Sequence, residues 1–356
     1  MKISINYKPR KGSWGGGNQF VKTLEKAANY EGYEIVYDLK QKDIDIILLI
    51  DPRSYNQEIN FGSFDIFNYL LFVNKNAIVV HRINECDERK NTKHINFFLR
   101  IANYFADHTV FISSWLKSLD IYNKSNSSSV ILNGGDDLIF NDYQNLEWNK
   151  EEKLRLVTHH WSGNIMKGFD IYQIIDDMLS TKKWSERIEF TYIGNIPENF
   201  NFKNAKHVLP KNGQALSKEL SRHHVYVTAS RNEPAGMHHI EGILCGLPII
   251  YKNSGALPEY CQEFGTSFDD NNFVKALEGM IDQYSYFKLK IKKYPNKSSK
   301  MVKSYIDLFK NLLKNKNNIV SNRNTLRSPV FVFLNFIFYF LSVKKILKKF
   351  QNILNF

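Results

Sequence analysis

The chain has 356 residues, enough for two compact domains and too many for a small stapled fold, and its 43% apolar and 14% aromatic content excludes wholesale disorder and collagen-like repeats. Its net charge of +12 is unevenly spread: from Tyr286 to Phe356 there are 16 Lys and Arg against one acid, Asp307, which leaves −3 for everything before. A nearly neutral body with a basic, apolar tail argues against nucleic acid as a partner and for an anionic membrane surface. Three cysteines, Cys86, Cys245 and Cys261, contain no CxxC pair, and the N-terminal MKISINYKPRKGSW has no apolar h-region. A reducing, cytoplasmic protein without a secretory signal is expected.

Along the chain, two series of short apolar runs alternate with helix-length segments, the form of a parallel sheet covered on both faces. KISINY, YEIVYD, IDIILLI, AIVVH, HTVFIS and SVILN read as the first six strands, with helices over 18–30, 64–73, 92–105 and 114–119. The polar stretch NDYQNLEWNKEEK then separates the series. LRLVTHH, RIEFTYIG, HVLP, HVYVTA, LPIIY and TSFD read as the second six, with helices over 169–180, 214–222, 236–245 and 271–287. These runs predict an α/β chain of two domains, 1–149 and 150–298, followed by a closing amphipathic helix over 299–318 and a tail over 319–356.

The tail begins with an Asn/Lys-rich link and continues as VFVFLNFIFYFLSV, whose 14 residues fall short of the ~20 needed to span a bilayer as a helix. The last stretch puts Val343, Ile346, Leu347, Phe350, Ile353 and Leu354 on one helical face, with Lys344, Lys345, Lys348 and Lys349 elsewhere. That is the pattern of a helix lying in a membrane interface, and residues 328–356 are expected to hold the protein at the inner face of a membrane. The competing reading is a terminal helix packed on the body.

Val225 to Tyr260, VYVTASRNEPAGMHHIEGILCGLPIIYKNSGALPEY, carries the strongest chemical signal. A strand ends near Ala229, a loop holds Glu233, and a helix begins near Gly236 with Glu241 in its second turn. Free amides of a first helical turn suit an anion such as a diphosphate, and Gly236 lets backbone approach it. Glu233 and Glu241, eight residues apart, can each accept hydroxyl hydrogen bonds, one from a sugar and one from a ribose. Without a cleft, both glutamates would merely favour a helix N-terminal region.

This segment resembles the donor-site signature of the retaining GT-B glycosyltransferases of the large family-four type. WGGGNQF, VVHRINE, FISSWLKS, VILNGGDDLIF and HHWSGNIMKGFD follow in the order that resemblance implies, so that it covers roughly residues 1–310 and leaves out the tail. It implies two Rossmann-like domains facing a cleft, the first for the acceptor and the second for the nucleotide-sugar donor, with no cofactor besides that co-substrate. Transfer would proceed without a metal and with retention of anomeric configuration. The basic, apolar tail, outside the resemblance, points to an acceptor at the membrane, a glycan or a lipid-linked precursor in cell-surface polysaccharide or glycolipid synthesis.

Position by position, the resemblance assigns Lys167 to the donor diphosphate, Glu233 to the sugar hydroxyls and Glu241 to the ribose. Ala235, Gly236 and Met237 form the turn under the phosphates, and Gly15, Gly16 and Gly17 the loop that closes over them. His81 ends the run AIVVH, which predicts a side chain at the carboxyl edge of the sheet, where open α/β folds bind ligands; the resemblance places it near the reacting carbon. Many members carry an arginine shortly before the lysine, and this chain has none: His160, Trp161, Ser162 or Asn164, or Arg10 or Arg231 from elsewhere, are the candidates to replace it. Base recognition is expected near Leu209 to Gly213. Loss of that arginine also leaves open a catalytically degenerate binding subunit, or another enzyme on this fold such as a sugar-nucleotide epimerase or a phosphorylase.

No metal site is expected. Asp43-Ile44-Asp45 has the Asp-x-Asp form but leads straight into IILLI and reads as a solvated strand start, no HExxH occurs, and the pairs His159-His160, His223-His224 and His238-His239 point adjacent side chains in divergent directions.

Overall fold

A computed structural model describes residues 1–10, 16–53, 56–124, 126–323, 330 and 333. All twelve predicted strands form, in two six-stranded sheets in which every pairing is parallel. The first sheet contains β1 (Lys2–Ile5), β2 (Glu34–Val36), β3 (Ile46–Leu49), β4 (Ile78–Ile83), β5 (His108–Phe111) and β6 (Ser127–Val130), in the order β2-β1-β3-β4-β5-β6. The second contains β7 (Leu154–His160), β8 (Ile188–Gly194), β9 (Lys206–Val208), β10 (Val225–Thr228), β11 (Ile249–Lys252) and β12 (Gly265–Phe268), in the order β12-β11-β10-β7-β8-β9. The central strands β3, β4, β5, β10 and β11 are buried at every residue, which is why they read as continuous apolar runs rather than as alternating ones.

The helix Ser298–Lys314 follows the second sheet in sequence yet packs on the first. Met301, Val302, Tyr305, Ile306, Phe309 and Leu312 make a stripe at helical spacing that joins Phe20, Val21, Leu24 and the first-sheet strands in one core. Beyond it, Arg323 is clamped by the carboxylate of Asp107 at 2.6 and 2.8 Å and donates to the carbonyls of Lys75 and Ala77. Lys75, Ala77 and Asp107 precede β4 and β5, so Arg323 is fixed at the amino edge of the first sheet, opposite the edge where ligands bind in such folds. Of the tail over 319–356, only residues 319–323, Val330 and Phe333 are among the described residues. Among those described, no helix is long and apolar enough to cross a membrane.

The two sheets are joined by a buried hydrogen-bond hub. Tyr260, from the motif SGALPEY, accepts from the backbone N–H of Asn133 at 2.7 Å and donates to the carbonyl of Ile112 at 2.7 Å. Asn133 passes the connection on: its Nδ2 donates to the carbonyl of Ala235 and its Oδ1 accepts from Arg82. Arg82, fully buried, stacks 3.9 Å over Phe20 and donates to the hydroxyl of Tyr305. Tyr260→Phe leaves a buried N–H and a buried carbonyl unmet, and should lower the unfolding free energy by about 1–3 kcal/mol, read as a fall in the urea midpoint; an unchanged midpoint would show that the hub does not couple the sheets.

Candidate active site

The carboxyl ends of both sheets open onto one interdomain cavity of about 290 Å³. Tyr7, Gly16, Gly17, Asn84, Glu85 and Arg89 are among its walls on the first domain, and Glu233, Ala235, Gly236 and Met237 on the second. A smaller hollow adjoins it, sharing Gly16, Asn133 and Met237 and bounded by Glu241 and Gly213. The two glutamates singled out in the sequence therefore look into adjoining spaces with the helix start at Gly236 and Met237 between them.

Local sequence explains why. The helix Met237–Leu244 starts after Gly236, its N-cap; a Cβ on Gly236 would stand 2.4 Å from the His238 ring and 3.0 Å from Glu233 Cδ, so a side chain there would displace both. Glu233 is held from below by the SGALPEY turn: its carbonyl accepts from Ala256 N, Asn232 N donates to Ser254 Oγ, and Gly255, at φ +62, approaches Glu233 N closer than any Cβ would permit. Lys167 ends the short 3-10 turn Ile165–Lys167, capped by Asn164, whose Oδ1 accepts from Met166 N at 2.8 Å. Gly168, at φ +88, lets that turn lie against Ala229, and Met166 O accepts from Arg231 N.

Lys167 Nζ donates to Glu233 Oε2 at 2.5 Å, while Arg89 Nε lies 3.6 Å from Glu233 Oε1. Burial pushes the Glu233 carboxyl up, but Lys167 and Arg89 outweigh it and hold the pKa at about 2. Burial lowers the pKa of Lys167, and Glu233 opposes that shift. Deeper in, Glu241 Oε2 is bonded to His159 Nε2 at 2.9 Å, and Tyr226 sits on His159 Nδ1 at 3.1 Å. His160 bonds Tyr172 and His238 bonds Thr228, their rings 4.6 Å apart, and burial depresses the pKa of His160, His238 and His239 so that they pack as neutral rings. Among the described residues no group of three or more His, Cys, Asp or Glu is arranged to hold a metal ion. Asp43 faces Lys2, and Asp45 accepts from Lys2 N.

Several sequence expectations need correction. His81 is not at the cleft. The strand AIVVH continues through Arg82 and Ile83, which pair with Val110 and Phe111, so His81 lies within β4. It is fully buried, its Nδ1 is bonded to Asn103, and burial alone lowers its pKa to about 3. The residues that reach the cavity from this segment are Arg82, Asn84, Glu85 and Arg89. Gly16 and Gly17 do face it, but as the first turn of the helix Gly16–Tyr30 rather than as a loop, with Gly16 so close to Met237 that a Cβ would stand 3.0 Å from its Cγ; Gly15 lies outside the described residues. Asn164 is exposed and spends its side chain on the turn below Lys167, instead of on the cavity.

None of the candidates for the missing arginine, His160, Trp161, Ser162, Asn164, Arg10 and Arg231, lines the cavity. His160 is buried against Tyr172, Trp161 is exposed, Arg10 is paired with Glu58, and Arg231 is paired with Asp170 and Asp270. Arg89 escaped the sequence reading because its helix, Asp87–Lys90, is four residues long and carries no apolar period.

Glu233 contributes to stability fully above its unfolded pKa of about 4.5, and that contribution disappears as pH falls through 2. Wild-type stability should therefore fall more steeply than that of Glu233→Gln between pH 4.5 and 3 in urea titrations; parallel curves would show that the carboxylate is not held by its cations.

Residues 193–285 match the family model described as glycosyl transferases group 1. The fold is shared with sucrose-phosphate synthase from Thermosynechococcus elongatus (TM-score 0.62, 12% identity, 88% of this chain and 99% of that one). It is also shared with Anabaena HepE solved with UDP (0.62, 11%, 87% and 100%) and with the catalytic domain of Arabidopsis thaliana starch synthase IV bound to ADP and acarbose (0.63, 12%, 88% and 99%). A search of curated proteins finds no match.

Proposed function

From the GT-B fold and the match of residues 193–285 to the glycosyl transferases group 1 model, we propose that this chain transfers a sugar from a nucleotide-diphosphate sugar to a glycan or lipid-linked acceptor, without a metal and with retention of anomeric configuration. The observation that carries this reading is the Lys167–Glu233 pair beside the Gly236 turn, with Glu241 in the adjoining hollow. An ammonium, a helix amino end and two carboxylates in that order match a phosphate group flanked by two sets of hydroxyls. HepE binding UDP and starch synthase IV binding ADP on the same fold support a nucleoside diphosphate as the ligand class.

In this reaction the ribose hydroxyls donate to Glu241, whose second oxygen is steadied by the Tyr226–His159 relay. The diphosphate lies along Ala235, Gly236 and Met237, where free amides and the helix dipole favour an anion. The bond from the anomeric carbon to the phosphate oxygen breaks, the acceptor hydroxyl bonds to the same face of that carbon, and its proton passes to the departing phosphate oxygen. Lys167 meets the charge that develops on that oxygen, and stabilisation of developing charge is the largest contribution such a site makes. Glu233 exchanges the Lys167 ammonium for the sugar hydroxyls. The first domain supplies the acceptor surface, and contact across the cleft excludes water that would hydrolyse the donor.

Lys167→Ala should lower kcat by about 10²–10³-fold while the protein remains folded, with the α or β configuration of the product read by NMR against that of the donor. Near-normal turnover, or an inverted product, would overturn the assignment. The basic tail is the feature that supports an acceptor at the cytoplasmic face of a membrane. Truncation after Arg327 should release the protein from vesicles containing anionic lipid but leave transfer to a soluble acceptor intact; undiminished vesicle binding would remove the membrane from the proposal.

A further inference from the structure

A diphosphate carries two to three negative charges, and Lys167 supplies one positive charge. Among the described residues, the cations that line the cavity are Arg53, Arg82 and Arg89, and Lys167 meets it through Glu233. Arg53 grips Asp51 through both Nε and Nη2, at 2.8 and 2.7 Å. Arg82 is fully buried and locked between Asn133, Tyr305 and the Phe20 ring. Arg89 differs from both. Its side chain keeps 30% of its exposure, lines the same cavity as Gly236 and Met237, and lies against Glu233, which it approaches from the opposite domain to Lys167.

Resting on the glycosyltransferase reading above, we propose that Arg89 is the second cation of the donor diphosphate site, contributed by the first domain and held on Glu233 until the donor arrives. Glu233 is the shared placeholder: Lys167 takes one of its oxygens at 2.5 Å and Arg89 stands 3.6 Å from the other. A diphosphate entering between them offers both cations a stronger anion, and bidentate contact suits a guanidinium especially well. Release of Glu233 from its two partners then frees the carboxylate for the sugar hydroxyls. Binding of the phosphates and readiness for the sugar are thus one exchange of ion pairs.

The surroundings of Arg89 fit this exchange. Its second partner, Glu85 Oε2 at 2.8 Å, is also met by Lys90 at 3.2 Å, so Glu85 keeps a counterion when Arg89 turns to the phosphate. The base from which Arg89 reaches is fixed. Asp87 Oδ1 accepts from Thr92 Oγ1, His94 N and Ile95 N, and Oδ2 from Asn96 N. Across the cleft, Asn232 Nδ2 donates to the Glu88 carbonyl at 3.2 Å, which ties this short helix to the loop that carries Glu233. Asn232 takes φ +49 to make that turn.

The test measures the affinities of UDP, ADP and GDP, of the corresponding monophosphates, and of the UDP-, ADP- and GDP-glucose donors by calorimetry, for the wild-type protein and for Arg89→Ala and Arg89→Lys. For the base that the wild type prefers, Arg89→Ala should weaken the diphosphate about 30- to 100-fold and the monophosphate less than threefold, with Arg89→Lys in between and all three proteins giving a cooperative thermal unfolding transition above the temperature of the binding measurement. Equal diphosphate affinity in wild type and Arg89→Ala would overturn the inference and leave the transferase reading standing. Weakened binding of the nucleotide sugar alone would overturn it too, because Arg89 would then act only by steering Glu233. Failure of the wild type to bind any of these diphosphates would overturn the transferase reading itself.

Discussion

One carboxylate shared by two cations from two domains is the constraint on which the cleft depends. Glu233 is almost fully buried, and a lone buried charge is costly. Its ionised state therefore requires Lys167 on one side and Arg89 on the other, and each of these needs its own support: the Asn164-capped turn and Gly168 for the lysine, the Asp87 network for the arginine. The tight turns around Glu233 serve the same end. Gly236 and Gly255 stand where any Cβ would collide with the loop, and the SGALPEY segment both carries the loop from below and sends Tyr260 across to the first domain.

That arrangement also links binding to domain contact. Tyr260, Asn133, Arg82 and Tyr305 run from the turn at Ala235 through the first sheet to the helix that returns from the second domain. A ligand that displaces Glu233 from Arg89 acts on the same cross-domain seam as the Asn232–Glu88 contact. In the proposed transfer, the domains close because the donor's phosphates replace a protein carboxylate as the partner of charges on both sides. Arg323 is anchored on Asp107 at the amino edge of the first sheet, away from the cleft.

Much of the fold and part of the site were legible before any coordinates. The central strands were readable because strands buried on both faces are mostly apolar, and IILLI or VYVT has little else to become. Glu233, Gly236 and Glu241 were readable because a strand, a loop and a helix start follow each other within seventeen residues, and local order dictates their direction. His81 was misplaced because parity and strand length decide which way a side chain points: two more residues of pairing carry the strand past it and give the cavity to its neighbours.

Chain order alone thus determined the two sheets, the helix start at Gly236 and the spacing of the two glutamates, since each follows from periodicity, turn chemistry and contacts close in sequence. Only the tertiary structure decided which charges meet. Arg89 and Lys167 are 78 residues apart in the chain, in different domains, and a four-residue helix has no periodic signature to announce it. Ion pairing depends on a few ångströms of three-dimensional approach, and that approach is set by how two separately folded sheets come to rest against each other.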